Sequence, residues 1–119
     1  MLNPETAEQV RLALGSIDAF CLYDRRRLRG YQREVTLAIE SMLRGEGGRS
    51  LAVMFPRQSG KNELQAHLEA YLLMLFHNSS EAEIIKIAPT WKPQSINAMR
   101  RLERVLRANS LARSIQWSR

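Results

Sequence analysis

Lysine is scarce in this sequence. Lys61, Lys86 and Lys92 are the only lysines among 18 cationic residues, and the others are arginine. Against them stand 12 Asp plus Glu, so the formal net charge is +6 and the isoelectric point is about 10.2. A planar guanidinium favours bidentate contact with phosphate or carboxylate, so this bias fits a polyanionic partner better than simple solubility. A basic surface without any ligand is the plainer alternative. Cysteine is scarcer still: Cys21 alone excludes an internal disulfide and fits a reducing, intracellular setting. Set among apolar neighbours in "IDAFCLY", it reads as a buried structural thiol rather than a nucleophile. His67 and His77 lack the further cysteine or clustered carboxylates of a metal site, and His67 reads as a helix-surface or packing residue. The longest apolar run, Ala70 to Phe76, falls far short of the ~18 residues that a membrane span needs. The opening "MLNPETAEQV" has neither the basic start nor the apolar core of a secretory leader.

What is present suits one small globular domain: 119 residues, 45% hydrophobic and 25% charged. Asn3 and Pro4 start a helix, with Val10, Leu12, Ala13 and Leu14 as its apolar positions and Gly15 as its end. "IDAFCLYDRRRLRG" reads as a break whose Arg25, Arg26, Arg27 and Arg29 are either a solvated linker face or a contact with a phosphate backbone. From Tyr31, the spacing of Val35, Ala38, Ile39, Met42 and Leu43 predicts an amphipathic helix, stopped by "RGEGGR". "SLAVMF", Ser50 to Phe55, is a short unbroken apolar run bounded by turn residues, as a strand buried on both faces should be. Another helix follows from about Gly60 to Phe76, with Leu64, Leu68, Tyr71, Leu72 and Leu75 on one side. "EIIKIAP", Glu83 to Pro89, reads as a second strand. After "TWKPQ" a last helix turns Ile96, Met99, Leu102, Val105 and Leu106 inward and leaves Arg100, Arg101, Arg104 and Arg107 on its remaining surface. Strands alternating with helices predict an α/β fold, a parallel sheet with helices packed over it.

The junction "FPRQSGKN" carries the chemistry. In the phosphate-loop pattern G-x-x-x-x-G-K-[ST], Gly60 and Lys61 are in place, whereas Phe55 stands at the first glycine and Asn62 at the Ser or Thr. Such loops work by geometry: a strand delivers the chain to a tight turn, and the helix beginning beneath it offers free N–H groups and its dipole to an anion. Lys61 would then reach the β and γ phosphates. Asn62 offers magnesium an amide oxygen in place of a hydroxyl, which weakens metal-assisted hydrolysis more than binding. The plainer alternative is an ordinary strand-to-helix loop capped by Ser59.

Three ordered stretches, "GYQREV" (30–35), "PRQSGKN" (56–62) and "IIKIAPTWKPQS" (84–95), resemble the large terminase subunit of tailed bacteriophages, the ATP-driven motor that packages DNA. The resemblance spans about Arg29 to Leu106. It implies a three-layer P-loop NTPase-like parallel sheet with flanking helices, present only in its amino-terminal part. Residues 30–119 would belong to the ATPase domain and residues 1–29 to a helical segment with a basic linker. By the same resemblance, Gly60 and Lys61 hold phosphates within a loop completed by Pro56, Gln58 and Ser59. Arg57 would contact the γ phosphate and couple hydrolysis to movement, so that Arg57 and Lys61 are the catalytic candidates. Gln32 would read the adenine edge, Tyr31 would offer a stacking surface, and Asn62 would face magnesium. ATP, Mg2+, double-stranded DNA, the portal protein and the small terminase subunit are the implied cofactors and partners, with further copies of the chain in an oligomer. The implied setting is the cytoplasm of a bacterial host, for a phage or prophage protein. The sequence departs from the family after Leu106, where "RANSLARSIQWSR" holds no carboxylate. The acidic motif of a complete motor and the nuclease domain are thus both missing. The expectation is an amino-terminal piece that binds ATP but hydrolyses it poorly alone, with an uncovered sheet edge inviting self-association. A helicase-like translocase fragment is one alternative. A non-catalytic nucleic-acid-binding module using Arg100, Arg101, Arg104 and Arg107 is another.

Overall fold

A computed structural model describes residues 4–23, 27–45, 50–55, 60–109 and 112. Among them the regular elements are helices: α1 (Pro4–Ala13), α2 (Ile17–Tyr23), α3 (Gly30–Arg44), α4 (Lys61–Leu75) and α5 (Ile96–Ala108), the last entered through an irregular turn at Trp91–Ser95.

The expected parallel α/β sheet is corrected by this architecture, since no strand occurs among the described residues. Ser50–Phe55 and Glu83–Pro89 run without regular structure, and their apolar side chains stand largely in solvent, Met54 at 95% and Ile87 at 89% exposure. The physical reason is that a strand is completed by a neighbour. A short apolar run satisfies the pattern of a buried strand, but without a paired ladder its β propensity is never realised.

The predicted break at 16–29 also contains structure. Ser16 Oγ accepts a hydrogen bond from the Ala19 N–H at 3.0 Å, an N-cap that starts α2, and Ile17, Phe20 and Cys21 follow at three- and four-residue spacing into full burial. Cys21 is thus the buried thiol its neighbours suggested. A second cap comes from outside the helix: the carboxylate of Glu40, buried on α3, accepts the Ile17 N–H at 2.7 Å. An acidic group is well placed there, because the start of a helix presents unpaired donors and the positive end of its dipole.

Helix α3 faces inward by a polar stripe, Gln32, Thr36 and Glu40, flanked by half-buried Val35 and Ile39. The apolar stripe read from its sequence is therefore rotated, and Ala38 and Leu43 are exposed. Each polar member has a backbone partner; Thr36 Oγ1, for instance, donates to the Arg33 carbonyl at 2.8 Å. This satisfaction is what makes their burial tolerable.

Helix α4 is central and packs against α2, α3 and α5. Leu64, Ala66, Ala70, Tyr71 and Met74 are buried along it, more of its circumference than one stripe, while Leu75 is exposed. Tyr71 joins two neighbours: its ring meets Phe20 edge-on at 5.6 Å and its hydroxyl donates to the Leu14 carbonyl at 2.8 Å. Leu102, Val105 and Leu106 complete the core from α5, whereas Met99 is exposed. No helix among the described residues is long and apolar enough to cross a membrane.

Burial, and after it the Glu40 charge, raise the Tyr71 phenol above its ordinary value. Because the folded form holds its proton more tightly than the unfolded chain, this contribution to stability is complete below about pH 10 and is lost as pH rises through the raised value. Thermal melts followed by circular dichroism should fall more steeply above about pH 10 in the parent than in Tyr71→Phe. At neutral pH the variant should lose about 1 kcal/mol with its hydrogen bond. Parallel alkaline limbs would show that Tyr71 is not the titrating group.

Candidate functional site

Helix α4 begins at a glycine that the backbone requires. Gly60 has φ +84°, in the left-handed region where side chains other than glycine's are strained, and it immediately precedes Lys61 and Asn62 in the first turn. A Cβ on Gly60 would also lie 2.7 Å from Gln32 Nε2. That closeness reflects a specific contact: Gln32 Nε2 donates to the Gly60 carbonyl at 3.2 Å, and Gln32 Oε1 accepts from the Arg29 N–H at 2.9 Å. One buried amide thereby ties the starts of α3 and α4 together. Gln32 is only 7% exposed and is not among the residues that line the groove described below. Tyr31 lies beside it with its ring edge-on to Phe55 at 5.4 Å and its hydroxyl accepting from Arg29 Nη1 at 2.9 Å.

Beyond Lys61 opens a groove of about 410 Å³, within the ~300–1,000 Å³ usual for small-molecule sites. Its basic lining converges from three segments: Lys61 on α4, Lys86 on the 83–89 segment and Arg101 on α5. Asn62, Gln65, Gln94 and Asn97 add amides, and Ile87, Ala88, Pro89 and Pro93 supply an apolar side. No carboxylate lines the groove among the described residues, so the charged groups that face into it are cationic. The same composition does not fit a protein-held magnesium ion, which prefers carboxylate and water oxygens; Asn62 offers only an amide oxygen. Among the described residues no cluster of three or more His, Cys, Asp or Glu is arranged to hold a metal.

Two of the three cations have internal partners. Lys86 Nζ lies 2.7 Å from Oε1 of Glu69, a carboxylate only 6% exposed. Arg101 Nη1 donates to Glu63 Oε1 at 2.5 Å, and Glu63 also receives Arg104 Nη2 at 3.2 Å and faces His67 Nε2 at 3.6 Å through its other oxygen.

The residues singled out from the sequence are therefore partly gathered. Lys61 and Asn62 line the groove, Gly60 caps the helix behind them, Gln32 holds Gly60, and Tyr31 is one residue away on Phe55. Pro56, Arg57, Gln58 and Ser59 lie outside the described residues. The four arginines of α5 divide: Arg101 lines the groove, whereas Arg100, Arg104 and Arg107 are exposed, Arg104 reaching Glu63. Sequence reasoning missed Lys86, Glu63 and Glu69. The only available signal was that Lys86 is one of three lysines and sits within a quoted motif. No protein-family model matches the chain, and comparison with curated proteins and with solved structures gives no match.

Gly60→Ala should destabilise the protein by about 1–2 kcal/mol through the left-handed backbone alone, and more if Gln32 is displaced. Gly30→Ala, with nothing within 4 Å of the added carbon, should be neutral or slightly stabilising. Denaturant melts of the two variants test this, and equal stabilities would contradict the strained start of α4.

Proposed function

We propose that the chain binds the polyphosphate of ATP in the groove beside Lys61, as the nucleotide-binding part of a terminase-type DNA-packaging motor. The observation that carries this reading is the convergence of Lys61, Lys86 and Arg101 on one groove at the start of α4. The three segments that contribute them are far apart in sequence, and two of them belong to the stretches that resemble terminases. Three cations facing one groove, two of them also paired with carboxylates behind it, suit a ligand whose several negative charges share or displace those partners. The free N–H groups of the first turn of α4 add to that preference.

Within the reading, the chain's own residues bind and position. Lys61 provides a mobile point charge and Arg101 a flat donor fork, while Gln32 fixes the carbonyl preceding Lys61. The apolar side formed by Ile87, Pro89 and Pro93 offers a surface for the less polar portion of a nucleotide. DNA, the portal protein, the small terminase subunit, a homo-oligomeric ring and the bacterial cytoplasm enter only through the sequence resemblance. Hydrolysis by this chain is not part of the proposal, since no carboxylate lines the groove to activate water among the described residues.

The reading as a non-catalytic nucleic-acid module is less well supported. Arg101 and Arg104 share Glu63, which compensates part of the charge of the arginine face of α5.

Equilibrium titration of a fluorescent ATP analogue into the parent and into Lys61→Ala tests the proposal. Binding should weaken by tenfold or more in the variant, on the order of the loss of one charge-assisted contact. Equal affinity in the two proteins would remove the phosphate role of Lys61 and bring the nucleic-acid reading forward.

A further inference from the structure

Resting on the nucleotide reading, we infer that the groove is a polyphosphate clamp in which Arg101 exchanges Glu63 for a ligand phosphate while Lys86 stays on Glu69 and bridges to the ligand. This assigns Lys86 and Arg101 to the site and sets the ligand class as two or more adjacent phosphates rather than one.

The two ion pairs at the groove differ in what their separation would leave behind. Glu69 is buried, and its Oε2 has no hydrogen-bond partner, so Lys86 is the charge that compensates it. Pulling Lys86 away would strand a buried carboxylate. An ammonium has three donors, however, so Lys86 can keep Glu69 and still offer hydrogen bonds toward the groove it lines. Glu63 stands in the opposite situation. Its side chain and that of Arg101 are each more than one-third exposed, at 39% and 34%, and Glu63 also holds Arg104 and faces His67. When Arg101 leaves, the Glu63 carboxylate retains Arg104 and solvent, and the exchange strands no charge.

Arg101 is therefore the contact that responds to occupancy, and Glu63 is its competitor. Because Glu63 lies on α4 and Arg101 on α5, the exchange alters the polar tie between these helices without disturbing the buried Leu102, Val105 and Leu106. A chain of adjacent phosphates offers each of the three cations oxygens of its own, so affinity should rise from phosphate to triphosphate.

Calorimetric titration with inorganic phosphate, inorganic triphosphate and ATP, applied to the parent, Arg101→Ala, Glu63→Gln and the double variant, tests the clamp. Triphosphate should bind the parent at least tenfold tighter than phosphate. Arg101→Ala should weaken triphosphate about tenfold, and Glu63→Gln should tighten it roughly threefold to fivefold by releasing Arg101 from an exposed pair. In the Arg101→Ala background the Glu63→Gln gain should vanish, because no arginine remains to be released. A gain of equal size in both backgrounds would reduce Glu63 to a general field effect and overturn the exchange. Unchanged affinity in Arg101→Ala, with binding still dependent on Lys61, would overturn the clamp while leaving the nucleotide reading intact. Triphosphate bound as described but ATP no tighter than phosphate would overturn the nucleotide reading instead. Arg101→Gln, which keeps much of the side-chain stem, replaces the alanine variant if circular dichroism shows that one unfolded.

Discussion

The start of α4 depends on a backbone conformation that only glycine adopts easily. Gly60 turns the chain through the left-handed region, and its carbonyl is gripped by the Gln32 amide, which at the same time takes the N–H of Arg29. One buried side chain thus fixes where two helices begin. Everything of functional interest follows from that register: Lys61 and Asn62 fall in the first turn at the groove, Glu63 reaches the arginines of α5, and Glu69 two turns later meets Lys86. A shift of α4 by one residue would rotate each of these by about 100° and separate the basic groups.

Polar side chains carry much of the long-range organisation in this small protein. The inward stripe of α3 holds the start of α4 through Gln32 and the start of α2 through Glu40, while Tyr71 on α4 reaches back to the carbonyl after α1. Hydrophobic burial of Ile17, Phe20, Leu64, Met74 and Leu106 provides the general drive to collapse. It does not specify register, because apolar contact is not directional. The buried hydrogen bonds supply direction, and each is costly to leave unmade.

The same division explains what was legible in the sequence. Helices α3, α4 and α5 announced themselves through apolar spacing, and Gly60 followed by Lys61 marked the site through a local backbone requirement. What was illegible depended on partners distant in sequence. The polar face of α3 looks like a solvent face until Ile17 and Gly60 are brought to it, and α2 is a two-turn helix next to an arginine run that reads as a break. "SLAVMF" and "EIIKIAP" match strands in composition, yet pairing is a property of two segments, and among the described residues neither has found one. Lys86 and Arg101 joined the groove for the same reason, through packing of segments that no local pattern relates.

Amide hydrogen exchange with and without ATP tests the central claim most directly, because it reads the backbone of the groove without altering any residue. The account predicts slower exchange in the first turn of α4, from Lys61 to Leu64, together with the segment from Lys86 to Asn97, and no change in α1. Unchanged protection at both groove segments, or protection confined to the exposed arginine side of α5, would contradict it.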